Sequence, residues 1–247
     1  MRTIVVVPTY NEAENLPQLV RALLDLGLPD LRILVVDDRS PDGTGEVAEA
    51  LARAHPGRLL VCHRDGPRGL GPAYREGFRL ALETDAEAIV QMDADLSHPP
   101  AAIPQMLERM PDCHVVVGSR YVPGGRVDPR WGPGRYWLSR WGNFYARAVL
   151  GLKVRDATAG FKCWRRDALA RMPLDRVRST GYIFQVEMAY IAQRLGYRVC
   201  EIPIFFEDRR VGRSKMDWRI KIEAALRVWE LRWRYRDLRP IARENLR

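Results

Sequence analysis

Hydrophobic and polar positions along the chain fall into short apolar runs alternating with longer segments of helical period. Residues 3–7 are β-branched or apolar and stop at Pro8, a strand pattern. Residues 11–28 place Leu16, Leu19, Val20, Leu23 and Leu24 on one face. With Asn11 as N-cap and Glu14 three residues later, this spacing predicts a helix. Residues 33–36 form a second apolar strand ending in Asp37-Asp38, followed by the turn RSPDGT and a helix over 44–54. A third strand at 59–62, a helix over 71–83, a fourth strand at 88–92 and another at 115–118 continue the alternation. Such alternation implies βαβ units and a mostly parallel sheet covered on both faces. Ligands in such sheets gather at the carboxyl ends of the strands. The polar clusters 8–12, 37–42 and 93–98 all lie there.

After Tyr121 the periodicity stops. Residues 122–135, VPGGRVDPRWGPGR, read as a long surface loop, and loops of that length in compact domains tend to be functional or mobile. Helices are predicted over 137–150 and 179–195, and a strand over 198–206. Near the C-terminus, Trp218, Ile222, Leu226, Trp229 and Trp233 share a helical face opposite Arg219, Glu223, Arg227, Glu230, Arg234 and Asp237. Such a helix either docks on its own domain or lies in a membrane interface, where tryptophan and arginine are favoured.

A chain of 247 residues can bury one substantial α/β core. The net charge of +9 is unevenly placed: residues 1–119 carry −7 and residues 120–178 carry +10. The acidic half and the basic middle suggest two tasks, the second of them meeting a polyanion, an anionic membrane or a phosphorylated substrate. The expected organisation is a catalytic domain over 1–216, its nucleotide and metal half ending near 119 and its acceptor half following, with a basic amphipathic helix and tail over 217–247. Cys62, Cys113, Cys163 and Cys200 form no CxxC or Cys/His cluster, which argues against structural zinc and a disulfide framework and for a reducing compartment. No signal-peptide apolar region and no run of about 18 apolar residues is found, so no transmembrane segment is expected.

The densest chemistry lies in AIVQMDADLSHPP, residues 88–100. Side chains alternate along a strand, so Asp93 and Asp95 leave on the same side where the chain exits the sheet. These are either strand-ending aspartates or the ligands of a hard divalent cation that keeps positions open for phosphate.

VVVPTYNEAENL (5–16), VVDDRSPDGT (35–44), RGLGPAY (68–74), DADLSHPP (93–100), GSRY (118–121), TAGFKCWRR (158–166), FQVEM (184–188) and RRVGRSKM (209–216) occur in this order. Together they resemble the inverting family-2 glycosyltransferases of GT-A fold, and among those most closely the polyprenyl-phosphate (dolichol-phosphate) mannose synthases. PTYNE alone is shared by many sugar transferases; DADLSHPP, SRY and RxxGxSK together are far more specific. The resemblance implies a Rossmann-like α/β domain in which Pro8, Tyr10, Glu12 and Asp37 or Asp38 line the base and ribose of a nucleoside-diphosphate sugar. Arg68 with its glycines would let backbone approach that ligand. Asp93, Ala94 and Asp95 would handle the diphosphate, with Asp93 and Asp95 on Mg2+ or Mn2+. Family members often carry Gln two residues after the DxD. This chain has Ser97, whose shorter hydroxyl reaches the metal directly or through water, or leaves the place to His98.

The resemblance also assigns the acceptor phosphate to Arg120, Arg135 and Ser139, and the donor diphosphate to Arg209, with Lys215 as a second candidate. The catalytic set is then Asp95, Arg120 and Arg209. A phosphate monoester, with a second pKa near 6, is largely a dianion at neutral pH and needs no protein base to attack an anomeric carbon. Glu187, in a helical pattern, is left out of that set. The implied reaction moves mannose from GDP-mannose to a polyprenyl phosphate, at an anionic membrane surface on its cytoplasmic face. Its rivals are UDP-glucose as donor, a polysaccharide-extending transferase, and a basic nucleic-acid-binding protein. The last is disfavoured because the motifs lie in the acidic half and no nucleic-acid module appears.

Overall fold

The computed structural model describes residues 1–208 and 218–241, with side chains in the second segment described from Ala225 onward. The chain runs β1 (Thr3–Thr9), α1 (Leu16–Leu24), β2 (Leu31–Asp37), α2 (Thr44–Ala54), β3 (Leu59–His63), α3 (Leu70–Glu83), β4 (Ala88–Gln91), α4 (Ile103–Arg109) and β5 (Val115–Ser119). It continues through β6 (Arg126–Val127), α5 (Pro133–Leu150), β7 (Lys162–Arg165), α6 (Arg166–Ala170), α7 (Gly181–Arg194), β8 (Val199–Pro203), β9 (Phe205–Phe206) and α8 (Trp218–Arg234). Seven strands form one sheet in the order β3-β2-β1-β4-β7-β5-β8, in which β7 runs antiparallel to both neighbours and every other pairing is parallel. β6 and β9 make a separate parallel pair. The sheet crosses the boundary near residue 119, because β7 from the basic half sits between β4 and β5.

Alternation along β1 explains the two-sided core. Ile4 and Val6 face a cluster with Tyr74, Phe78, Phe184 and Trp164 beneath α3, α5, α7 and α8. Val5 and Val7 face the opposite cluster with Leu16, Leu19, Leu23 and Met106 beneath α1 and α4. Both faces being covered is why these strands read as continuous apolar runs.

Several boundaries differ from those read in the sequence. The first helix starts at Leu16, not Asn11. Asn11 has φ 61° and donates its N–H to Ser40 Oγ, so residues 10–15 form a loop bound to the next loop. The glycine- and proline-rich stretch 122–135 contains β6 and the first turn of α5, which opens at Pro133, a residue suited to that position. The strand expected over 198–206 breaks at Ile204: β8 stays in the main sheet and β9 leaves it to pair with β6. Cys113 and Cys200 form a disulfide, with Cα atoms 6.0 Å apart. Their separation of 87 residues hid this, since only the pairing of β5 with β8 brings them together. The cysteine spacing therefore says nothing about redox compartment. Among the described residues no helix is long and apolar enough to cross a membrane.

Candidate active site

The carboxyl ends of β1, β2 and β4 lie side by side, since Thr9 pairs with Asp37 and Val6 with Gln91. Among the described residues only Asn11, Arg39 and Leu96 are non-glycine residues with positive φ, and each lies in the loop after one of those strands. Such backbone costs of the order of 1–3 kcal/mol per residue and persists where surrounding contacts impose it, typically at ligand-binding loops.

Those contacts are visible. Asp37 accepts hydrogen bonds from Thr9 Oγ1 (3.0 Å), the Ser40 hydroxyl (2.6 Å) and the Ser40 N–H (3.1 Å). The Glu12 N–H donates to Thr44 Oγ1 at 2.9 Å, and the Glu12 carboxylate accepts from Asn15 Nδ2 at 2.7 Å. Asp38, the alternative ribose ligand in the sequence reading, is instead committed to buried Arg64 and to the Gly69 N–H (2.6 Å). It fixes the RGLG loop, where Gly69 has φ +146° and a Cβ on Gly71 would lie 2.1 Å from the Ser179 carbonyl oxygen. Pro8 is half-buried within the last residues of β1, which continues to Thr9, and Tyr10 is 40% exposed. Arg68 lies over the Tyr10 ring, 5.0 Å from its centre, and donates to its hydroxyl at 3.1 Å. Asp37, Ser40, one side of α2 from Gly45 to Arg53, and His63 line a cavity of about 350 Å³.

Asp93, Ala94 and Asp95 follow β4 after the single residue Met92. The Tyr74 hydroxyl donates to Asp93 Oδ1 at 2.7 Å. Burial, reinforced by Asp93, pushes the Tyr74 phenol well above its ordinary pKa, so it remains a donor. The left-handed Leu96 turns the chain so that the Ser97 N–H donates back to Asp95 Oδ1 at 3.1 Å. His98 is buried and stacks on Phe161 with ring centres 5.3 Å apart. Its Nδ1 accepts the Asp93 N–H at 3.2 Å, and burial lowers its pKa, which keeps the ring neutral. His98 thus supports the turn.

A divalent ion fits this turn. Ser97 Oγ is buried beside Asp95 with no hydrogen-bond partner, an atom that a metal or its water would satisfy. No group of three or more His, Cys, Asp or Glu among the described residues suffices to hold an ion alone. That suits a cation completed by substrate phosphates and water.

The acceptor candidates lie across the turn. Arg120 is anchored through part of its guanidinium. Its backbone N–H, Nε and Nη2 all donate to fully buried Asp156 (3.0, 2.8 and 2.7 Å), and Nη2 also to Thr158. A buried guanidinium requires a counter-charge, and Asp156 supplies it. Although burial pushes the Asp156 carboxyl up, Arg120 holds it below the ordinary value. Arg135 donates to Asp208 at 2.8 Å, lies 4.1 Å from the Trp131 ring centre and stays partly exposed. Ser139 Oγ and the Tyr121 hydroxyl are 2.8 Å apart. Phe206 joins the two sides, meeting His98 (5.5 Å) and Trp131 (5.6 Å) by edge contacts and lying under Arg120 (5.3 Å). Arg209 and Lys215 lie outside the described residues.

Sequence reasoning missed Tyr74, Asp156, Arg64 and Phe206. Tyr74 closes the RGLGPAY motif and carried a signal. The others became visible only when distant elements met.

Residues 4–172 match the model of the glycosyl transferase family 2. The chain belongs to that family. Among its relatives, an undecaprenyl-phosphate mannosyltransferase of Micrococcus luteus is 44% identical over 97% of this chain and 98% of its own. A polyprenol monophosphomannose synthase of Mycolicibacterium smegmatis is 42% identical over 98% and 92%. Two solved structures share the fold. Glucosyl-3-phosphoglycerate synthase from Mycobacterium tuberculosis, with Mn2+, UDP and glucosyl-3-phosphoglycerate, has a TM-score of 0.65 at 18% identity, covering 93% of this chain and 77% of that one. A mannosyltransferase from Pyrobaculum calidifontis, with GDP-mannose and Mn2+, has a TM-score of 0.61 at 23% identity over 91% and 61%. In this family-2 glycosyltransferase of GT-A fold, the loops after β1, β2 and β4 lie at the carboxyl edge of the sheet, where ligands bind in open α/β sheets.

Proposed function

We propose that this enzyme transfers mannose from GDP-mannose to a polyprenyl phosphate, with inversion at the anomeric carbon and with Mg2+ or Mn2+ bound. The observation that carries the reading is the near-full-length identity to two polyprenyl-phosphate mannosyl transferases, in a chain whose DxD turn lies between nucleotide loops and a basic, aromatic cluster.

Asp93 and Asp95, with Ser97, would hold the metal, which neutralises charge on the departing nucleoside diphosphate. Tyr74 and the Ser97 N–H orient the two carboxylates. Pro8, Tyr10, Glu12 and Asp37 form the base and ribose side, and Asp38 and Arg64 hold the RGLG loop against it. On the acceptor side, half-exposed Arg135 and the Tyr121–Ser139 hydroxyl pair meet the phosphate. Arg120, held by Asp156 and Thr158 through Nε and Nη2, presents its remaining Nη1 to the same phosphate. Arg209 and Lys215 complete the diphosphate side. The acceptor dianion is the nucleophile, so the site supplies alignment and charge stabilisation, not a base. The bond from anomeric carbon to acceptor phosphate oxygen forms as the bond to the GDP oxygen breaks.

The acceptor tail is insoluble in water, so the enzyme works as a peripheral protein at an anionic membrane surface, on the cytoplasmic face where its charged donor is available. Trp137, Trp141 and Phe144 on α5, and Leu226, Trp229 and Trp233 on α8, are all more than half exposed. The two helices are joined where the Tyr145 hydroxyl donates to the Ala225 carbonyl at 3.0 Å. Residues 1–208 and the docked α8 make one catalytic unit.

Titration calorimetry with Mn2+ present tests the donor. GDP is expected to bind at least ten times more tightly than UDP; a UDP preference transfers the reading to a glucosyl donor.

A further inference from the structure

At the end of the molecule where α5, α7 and α8 terminate, Leu150, Gly151, Tyr190, Gln193 and four arginines, Arg194, Arg232, Arg236 and Arg239, line a cavity of about 390 Å³, with no carboxylate among its described walls. We infer that this cavity binds the phosphate of an anionic phospholipid headgroup, a second lipid site separate from the one that receives the polyprenyl acceptor. The inference deepens the membrane reading above and rests on it for the source of the ligand.

The competing explanation is that the arginines only cap helix ends, and it accounts in part for three of them, including Arg239, whose Nη1 donates to the Arg236 carbonyl at 3.4 Å. Arg232 Nη1 donates to the Val149 carbonyl at 2.6 Å, beside the end of α5. Arg194 Nη2 donates to the carbonyls of Arg236 (3.0 Å) and Leu238 (2.7 Å) beyond the end of α8. Each helix end carries about half a negative charge, so three offset only roughly 1.5 of the four positive charges present. Among the described residues, Asp237 takes two bonds from Arg176 (2.7 and 2.9 Å) and offsets part of the Arg236 charge, and Glu230 pairs with Arg234. Independently, Arg194 Nε is buried and has no hydrogen-bond partner. Arg236 and Arg239 keep exposed heads, and arginine's planar fork matches phosphate.

Position selects a lipid over a free anion. The Arg236 guanidinium lies 4.7 Å from the ring centre of Trp233, the last aromatic of the exposed α8 row. The row Leu226, Trp229, Trp233 therefore runs into the basic cavity, and Leu150 and Tyr190 give that cavity apolar wall. Apolar ridge followed by cationic pocket is the order of acyl chain and headgroup in one leaflet.

The test uses the full chain and dihexanoyl-phosphatidylglycerol below its micelle concentration, which reports the pocket without a bilayer. Saturable binding is expected. It should weaken at least five-fold in Arg236→Gln/Arg239→Gln and stay unchanged in Arg21→Gln/Arg109→Gln, which removes equal charge from exposed sites on α1 and α4. Dihexanoyl-phosphatidylcholine and inorganic phosphate at matched ionic strength should bind at least ten times more weakly. Equal binding of inorganic phosphate, or equal losses in both double variants, would overturn the site. Binding to phosphatidylglycerol vesicles without binding of the short lipid would leave the membrane reading standing and remove the pocket. Short-lipid binding without vesicle binding would do the reverse.

Discussion

Tyr74 shows how one side chain ties the core to the chemistry. It is fully buried, stacks on Phe184 at 5.5 Å and delivers its hydroxyl to Asp93. Groups of this kind typically change metal affinity 10–100-fold when removed. Tyr74→Phe is expected to weaken Mn2+ binding by about that factor, with a change in melting temperature of only a few degrees. Metal titration followed by turnover checks it. Lys162 makes a second case. Its ammonium is buried between the Ala159 carbonyl and Gln185 Oε1 (2.7 Å), beneath the DxD turn. Burial drives its pKa from 10.5 down to about 7, against the pull of Asp156 and Asp93. Between those values the unfolded chain holds a proton that the native state has lost, so stability rises with pH and the gain is lost as pH falls toward 7. From pH 7 to 9 the contribution is about 2 kcal/mol. Denaturant melts of the native chain and Lys162→Met should differ by that slope; parallel profiles would place Lys162 outside this linkage. PTYNE, DxD and SRY were legible in sequence because their residues are neighbours in the chain. The partner of Arg120 was not, because Asp156 lies 36 residues away in a segment with no period of its own.

Among the elements, parallel strands with two buried faces announce themselves as apolar runs, and β1, β2, β4 and β5 were legible for that reason. β7 was not: KCWR mixes a lysine and an arginine with apolar residues, and it enters the sheet only because Lys162 finds Gln185 and the Ala159 carbonyl. For α8 the docking alternative holds, and one face of the helix is left exposed. The helix docks through Val228, Leu231 and Tyr235, whereas Leu226, Trp229 and Trp233 face outward. Trp229→Ser with Trp233→Ser is therefore expected to keep the fold. It should remove most of the binding to anionic liposomes that survives at high salt, since headgroup attraction is screened and tryptophan insertion is not. Sedimentation with vesicles at two salt concentrations measures it. Unchanged salt-resistant binding would move the contact to Trp137, Trp141 and Phe144.

Over the whole molecule, the acidic and basic halves of the sequence are not two bodies. One sheet joins them, and the antiparallel β7 carries the chain from the basic half back to the strand that presents the DxD turn. The proposed donor loops and the proposed acceptor cluster thus flank one turn. The account's central claim is that a sugar crosses that turn from nucleotide to lipid phosphate. The most direct measurement offers GDP-[14C]mannose and UDP-[14C]glucose separately, with polyprenyl phosphate and Mn2+, and counts label extracted into organic solvent. Label from GDP-mannose should move to the organic phase in proportion to acceptor, and Asp95→Ala should lower that rate at least a hundred-fold without unfolding the protein. Transfer from UDP-glucose alone, or undiminished transfer by Asp95→Ala, would contradict the account.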